Sequence, residues 1–384
     1  MTERLRVGPF QDGAFRSQLH SDRSAAVLGI ALGVTFTVCF LTGILSHLIQ
    51  YPPRWFLWPS RPAGLYRITQ GVHVATGIAS VPLLLAKLWT VYPRFWRWPP
   101  LESLAHALER LSLVPLVGGS LFLLVSGITS IARWHPYSFG FPVAHYWIAW
   151  VAMGGLLVHI GAKWSATRLA LASPGPAPMA GPRGTALTRR GFLTTAFSAT
   201  GLLTVLTVGQ TVRPLRSLSL LAPRDPAVGP QGFPVNRSAR LAGVIPLATD
   251  PGYRLAVEGQ VARPLSLSLE ELKGLPQHEE ILPIACVDGW SASPTWRGVR
   301  VRDLLDLAGA EEDVEVVVES LQPPGRAFRT STLNRLHARD PATLLAVEVN
   351  GEPLHLDHGF PVRLIGPNRP GVMQTKWVSR LVVR

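Results

Sequence analysis

Five apolar stretches, at about 25–46, 68–91, 111–132, 143–162 and 191–209, crowd the first part of the 384-residue chain, and none follows residue 213. Each approaches the roughly 20 residues that an α-helix needs to cross a hydrocarbon layer. A chain divided in this way does not fold around one water-shielded core. Its first part predicts an all-α transmembrane helical bundle, and its second part predicts a separate domain exposed to water.

The net charge of +13 follows the same division. Residues 1–212 carry 17 Lys and Arg against 5 Asp and Glu, whereas residues 213–384 carry 20 against 19. The excess therefore belongs to the apolar part, and no nucleic-acid partner is expected of the nearly neutral remainder. Thirteen of the basic residues lie in three places: the N-terminal tail (Arg4, Arg6, Arg16, Arg23), the second connection (Lys87, Arg94, Arg97, Arg110) and the fourth (Lys163, Arg168, Arg183, Arg189, Arg190). The first and third connections hold only Arg54, Arg61, Arg67 and Arg133. This asymmetry predicts a multi-pass protein of the cytoplasmic membrane, in contact with lipid, with its N-terminus cytoplasmic. Five crossings then put the C-terminal domain on the periplasmic side.

The expected organisation has four parts: a four-helix membrane domain at 1–165, a Pro/Gly/Ala-rich cytoplasmic linker at 166–187, a fifth transmembrane helix at 188–212 and an exported domain at 213–384. The fifth helix opens on Thr-Arg-Arg-Gly-Phe-Leu (188–193), which resembles a twin-arginine export signal; two cationic membrane anchors fit the same residues. From 213 to 250 the chain is Pro-rich and irregular. Strands are then predicted at Tyr253–Val261, Glu280–Val287, Val314–Ser320, Leu344–Val349, Pro361–Ile365 and Trp377–Val383, with helices at Leu269–Gly274 and Val301–Ala308. Asn350-Gly351 marks a hairpin turn. The C-terminal part reads as a mixed α+β domain.

The chain has two cysteines, and they fall in different parts: Cys39 within the first apolar stretch and Cys286 in the exported domain. A lone thiol there fits a small core residue, and it fits a metal ligand or reactive group. Its neighbours favour the latter. In order, Ile-Ala-Cys-Val-Asp-Gly-Trp-Ser (284–291), Trp-Arg-Gly-Val-Arg-Val-Arg-Asp-Leu-Leu (296–305), Asn-Gly-Glu-Pro-Leu (350–354), Asp-His-Gly-Phe-Pro-Val-Arg-Leu (357–364) and Thr-Lys-Trp-Val (375–378) resemble the molybdopterin-binding domain of the sulfite oxidase superfamily, over residues 230–384.

The resemblance implies a molybdenum–molybdopterin cofactor with Cys286 as the one protein ligand to the metal, a soft thiolate suited to it. It assigns the pterin phosphate to His358, Arg363 and Lys376, with the Gln374–Thr375 backbone alongside, and adds Ser320 and Asn236 as further cofactor contacts. Asp288, Trp290 and Ser291 are expected to shape the substrate mouth. Classical sulfite oxidases carry an arginine close behind the cysteine, where this chain has Asp288-Gly289-Trp290-Ser291. Met373 stands where many relatives have a basic residue. The missing arginine weakens the sulfite reading, while Met373 and the expected lack of a second, immunoglobulin-like dimerisation domain resemble the bacterial periplasmic reductase branch and favour a sulfoxide-type reductase.

Electrons for such a centre need a route. The exported domain has neither the cysteines of an iron–sulfur cluster nor a c-type haem motif. The membrane part has histidines, and His145 and His159 are 14 residues apart on one predicted helix. That separation is about 21 Å along the axis and about 40° around it, so one face presents imidazoles near both membrane surfaces. The pattern resembles four-helix cytochrome b subunits with two b-type haems. His73, or His47, would pair with His145; His106, or His20, would pair with His159. His135 reads as a residue of the membrane boundary, and the same reading is preferred for His20.

The expected activity is oxygen-atom transfer on a small-molecule or protein oxo or sulfoxide substrate outside the cytoplasm, with electrons exchanged with the quinone pool through the haems. The alternative is a non-enzymatic membrane-anchored binding module that keeps the fold without redox centres.

Overall fold

A computed structural model of the chain describes residues 18–96, 104–134, 136, 138–172 and 188–384. It divides into two compact units. One comprises the N-terminal residues to Thr42, Val72–Val208 and Leu218–Leu221; the other comprises Gly43–Gly71, Gly209–Ser217 and Ala222–Arg384.

Five helices, α1 (Asp22–Gln50), α2 (Leu65–Val91), α3 (Leu104–Ile131), α4 (Phe141–Ala172) and α5 (Arg189–Val208), build the first unit, except that the end of α1 from Gly43 and the start of α2 up to Gly71 fall in the other. All five are long and apolar enough to cross a membrane. Large apolar side chains such as Ile30, Val34, Leu121, Val151 and Leu157 stand on their exposed surfaces, the reverse of a water-soluble bundle. Leu28, Leu83 and Ala196 pack α1, α2 and α5 together, and Val74 and Ile78 pack against Ile131 and Leu203. Helices α3 and α4 approach closely where small residues allow it: a side chain at Gly155 would meet Leu116 and one at Gly119 would meet Ala152. Thr188 caps α5 by accepting the Gly191 N–H, so Arg189 and Arg190 form its first turn. The expected linker falls largely at 173–187, outside the described residues.

The second unit is the mixed α+β domain. Its strands are β1 (Arg254–Gly259), β2 (Leu265–Ser268), β3 (His278–Ile281), β4 (Ile284–Ala285), β5 (Ser291–Ala292), β6 (Thr295–Arg300), β7 (Val316–Ser320), β8 (Thr330–Leu333), β9 (Leu344–Val349), β10 (Glu352–Pro353), β11 (Arg363–Ile365) and β12 (Val378–Val383). One sheet runs β2-β1-β12-β7-β8, the second runs β10-β9-β6-β3 with β11 also on β9, and β4 and β5 form a ribbon. Only β1 and β12 pair in parallel within these sheets. The hairpin at Asn350-Gly351 forms as expected, with φ of 52° and 82° at the two positions.

Strand β9 reads as a near-continuous apolar run because both of its faces are covered. Leu345 and Val347 enter a core with the helix Val301–Ala308 and with β1, β7 and β12, while Leu344, Ala346 and Val349 enter a second core with Trp296, Trp290 and Cys286. The sheet thus carries structural packing on one side and the cysteine on the other.

Two expectations change. The predicted strand Glu280–Val287 is two strands, since β3 ends at Ile281 and β4 begins at Ile284. Pro283 lies in the gap, and its missing N–H ends the ladder. The segment 43–71, expected within the membrane domain, belongs to the C-terminal unit. Its side chains explain why. Arg61 forms a two-pronged pair with buried Asp340, Trp58 donates to Asn368 O, and the Tyr66 N–H donates to Asn368 Oδ1.

Candidate active site

The β4–β5 ribbon delivers Cys286. Ile284 pairs with Ala292 and Ala285 with Ser291, leaving residues 286–290 as the connecting loop. The loop closes on itself: the Cys286 N–H donates to Trp290 O at 2.9 Å, and the Gly289 N–H donates to Cys286 O at 3.1 Å. Gly289 takes a φ of 90°, which an L side chain rarely adopts.

The sulfur is 2% exposed at the residue level and receives two N–H donors, Asn236 Nδ2 at 2.6 Å and the Asp288 amide at 3.3 Å. Burial, reinforced by the Asp288 carboxylate, pushes the Cys286 thiol far above its usual range. A thiol so placed is a poor nucleophile, which removes ordinary thiol chemistry from the possible roles. A cation bound at the sulfur would reverse that electrostatics and hold it as thiolate. Asn236 also accepts the Trp290 indole N–H at 3.0 Å and Arg224 Nη1 at 2.6 Å.

Buried Arg363 and Arg369 and half-buried Lys376 have no carboxylate among their hydrogen-bond partners. Arg363 Nη1 donates to His358 O, Arg369 donates to Thr332 O and Met373 O, and Lys376 Nζ donates to Arg237 O and Asp357 O. Among the described residues, Arg363 Nε, Arg369 Nε and His358 Nδ1 are buried without a hydrogen-bond partner. Burial pulls both guanidinium groups down to about 9. Burial, together with Arg363, holds Lys376 well below the usual ammonium range, and the same two causes take His358 down to about 3. Arg363, Lys376 and His358, close enough to feel one another's charge and with donors to spare, fit a multivalent anion. Gly359, with a φ of 116°, brings them together, because a side chain there would meet the backbone and Cβ of Lys376 and Arg363 Cβ at 3.1–3.3 Å. The His358 ring stacks on Phe233 with centroids 3.8 Å apart and bonds to Pro230 O.

The other expected residues divide. Ser320 is buried with its hydroxyl on Lys376 O, so it holds the lysine's backbone. Thr375 pairs its hydroxyl with Ser331, and Gln374 forms two amide bonds with Gly366; these side chains are consumed within the fold. Asp288 and Ser291 are partly exposed, while Trp290 is 3% exposed and walls the sulfur instead of forming a mouth. Arg369 was absent from the expected set. The turn-rich run Gly366-Pro-Asn-Arg-Pro-Gly371 was its signal, and Pro370 bridges to Ala285 immediately before the cysteine.

In the first unit, His73 Nδ1 lies 2.8 Å from Cys39 O and His145 Nδ1 lies 2.8 Å from Ser126 Oγ. These contacts orient both rings through Nδ1. His20 bonds to Thr90 O and packs on Trp89, and His47 packs on Tyr51. His159 lies on α4 with His145. His106 lies on α3, but its side chain and His135 are outside the described residues.

Residues 242–384 match the family model described as "Oxidoreductase molybdopterin binding domain". Mitochondrial sulfite oxidase of Rattus norvegicus is 35% identical over 158 residues, covering 34% of this chain and 29% of that protein. The NAD(P)H nitrate reductase of Hordeum vulgare is 35% identical over 37% of this chain and 19% of its own length. The uncharacterized oxidoreductase YuiH of Bacillus subtilis is 35% identical over 33% of this chain and 62% of its own length. The aligned region spans about a third or less of the sulfite oxidase and nitrate reductase chains. Residues 242–384 are a molybdopterin-binding oxidoreductase domain of the sulfite oxidase family.

Proposed function

We propose that this protein is a membrane-anchored molybdenum-cofactor oxidoreductase that carries out oxygen-atom transfer outside the cytoplasmic membrane and exchanges electrons with the quinone pool through b-type haems. The observation that carries the molybdenum half is the pairing of the Arg363 and Lys376 cations and the neutral His358 imidazole, which have donors to spare, with a buried, N–H-donated cysteine sulfur. Without an anion that group is electrostatically unfavourable. A phosphate-bearing pterin satisfies it, and the metal supplies two-electron oxygen-atom chemistry.

In this reading Cys286 holds the metal, and Asn236 and the Asp288 amide draw charge from its sulfur. Arg363, Arg369, Lys376 and His358 hold the phosphate, and Ser320 fixes the Lys376 backbone. Asp288 and Ser291, the partly exposed residues of the loop, face substrate. The absence of arginine at 288–291 favours a neutral oxo or sulfoxide group over an oxyanion. The haem half rests on His73 and His145, each oriented through Nδ1 by a carbonyl or a hydroxyl, with His159 and His106 as the second pair. The N-terminus is then cytoplasmic and the oxidoreductase domain periplasmic, with Arg189 and Arg190 at the head of the fifth helix.

The test is electron flow in the detergent-purified chain. A quinol analogue is expected to reduce a b-type absorption band, and methionine sulfoxide is expected to reoxidise it. A band that reoxidises with neither sulfoxide nor nitrate, and is not reduced by sulfite, would refute the coupled activity.

A further inference from the structure

Outside the family domain, α2 reaches the cysteine loop. We infer that Gln70 is a positioning residue for the Cys286 sulfur, acting through a single peptide group; the inference rests on the reading of Cys286 as the molybdenum ligand. Gln70 Nε2 donates to Val287 O at 2.9 Å, and the amide N–H of that same peptide, belonging to Asp288, donates to Cys286 Sγ at 3.3 Å. A donor on the carbonyl polarises the peptide and strengthens donation from its N–H, by about 10–30% per bond in such chains. Charge is thereby drawn from the sulfur, and hydrogen bonds to ligand sulfur are a lever on a metal's reduction potential.

The side chain is built for this. Gln70 is 5% exposed, and its Oε1 is buried with no hydrogen-bond partner among the described residues. Only the amide nitrogen can face a carbonyl oxygen, so the chemistry fixes which way the group points. The first turns of α2 are held by three contacts: the Tyr66 N–H on Asn368 Oδ1, the Tyr66 hydroxyl against Ser46 Oγ, and Arg67 Nη1 on Ser293 Oγ.

The same loop has a second support that serves as an internal control. Thr211 Oγ1 donates to Gly289 O, and the Ser291 N–H donates to Gln210 O at 2.9 Å. Neither bond involves the Val287–Asp288 peptide. A merely structural role for Gln70 therefore predicts that Gln70→Met and Thr211→Val behave alike, whereas sulfur tuning predicts that they differ.

The experiment compares wild type, Gln70→Met, Thr211→Val and Cys286→Ser in the full chain purified in detergent. The readouts are molybdenum per chain, the molybdenum midpoint potential by redox titration, and kcat and KM for methionine sulfoxide reduction. The expected result is that Gln70→Met keeps its molybdenum within twofold, titrates at a lower potential and loses about tenfold in kcat with KM within twofold. Thr211→Val should titrate at the wild-type potential. Loss of metal from Gln70→Met alone also supports the inference, since it ties the loop's geometry to that one donor. A wild-type midpoint in Gln70→Met, an equal shift in Thr211→Val, or loss of metal from both overturns it. If wild type holds no molybdenum, or Cys286→Ser titrates as wild type, the ligand reading itself fails. If Cys286→Ser responds and Gln70→Met does not, only the role of Gln70 fails.

Discussion

Asn236 donates from its amide nitrogen to Cys286 Sγ and accepts the Trp290 indole N–H at its amide oxygen, so one side chain fixes both the sulfur and the ring that walls it. Asn236→Leu keeps the bulk, removes the donor and leaves the buried indole N–H without its acceptor. The expected outcome is a loss of about 2 kcal/mol in unfolding free energy and about tenfold in turnover, with molybdenum retained. Thermal unfolding and steady-state kinetics on the same preparation check both.

Cys286→Ser exchanges a soft ligand for a hard, weakly acidic hydroxyl. Molybdenum-dependent activity is expected to vanish while the reduced-minus-oxidised haem spectrum keeps its wild-type amplitude. A variant with near-normal turnover would remove Cys286 from the metal site.

Arg363→Met and Lys376→Met remove a buried and a half-buried cation that make no hydrogen bonds to carboxylates. Each is expected to lower pterin and molybdenum content several-fold. In cofactor-free protein the same substitutions should raise the melting temperature, because a desolvated charge is replaced by apolar volume. Opposite signs for cofactor retention and apo stability are the signature of a binding cation. A shared loss of both would mark Arg363 and Lys376 as structural.

Much of this arrangement could be read from the chain. Cys286 and the His358, Arg363 and Lys376 positions announce themselves as ordered short motifs, and the helix Val301–Ala308 and the Asn350-Gly351 turn are set by local patterning. The break at Pro283 was legible in principle, since proline cannot serve a central ladder. Gln70 and Asn368 were not. Their partners, Val287 and Tyr66, stand 217 and 302 residues away in sequence, and nothing local about a glutamine in an apolar helix or an asparagine in a turn points to such a distant hydrogen bond. Arg369 was hidden for another reason: arginine in a Pro/Gly-rich turn usually reads as solvated, and only the surrounding fold buries it.

Asn368 tests the contribution of the 43–71 segment to the domain. The residue is 1% exposed, sits at a φ of 54°, accepts the Tyr66 N–H and donates to Pro59 O. Asn368→Ala orphans both partners and places a less tolerant residue in the left-handed region. The expected loss is about 3 kcal/mol of stability, read by chemical denaturation in detergent. A change within about 0.5 kcal/mol would separate the segment from the domain's stability.

Acid should unfold the cofactor-free protein early. Burial, with Arg369 nearby, takes His337 down to about 3, and burial with Arg363 does the same to His358, against 6.5 for a free imidazole. Both are neutral in the fold, so the unfolded chain binds more protons below pH 6.5. The stability they contribute is present above that pH and lost progressively towards pH 3. The melting temperature is expected to fall steadily from pH 6.5 to 4, and His337→Gln should flatten the slope.

The central claim is met most directly by metal and pterin analysis of the detergent-purified full chain. About one molybdenum and one molybdopterin per chain, both lost on replacing Arg363 and Lys376 together by Met, is the expected result. Protein that folds and contains neither molybdenum nor pterin would contradict it.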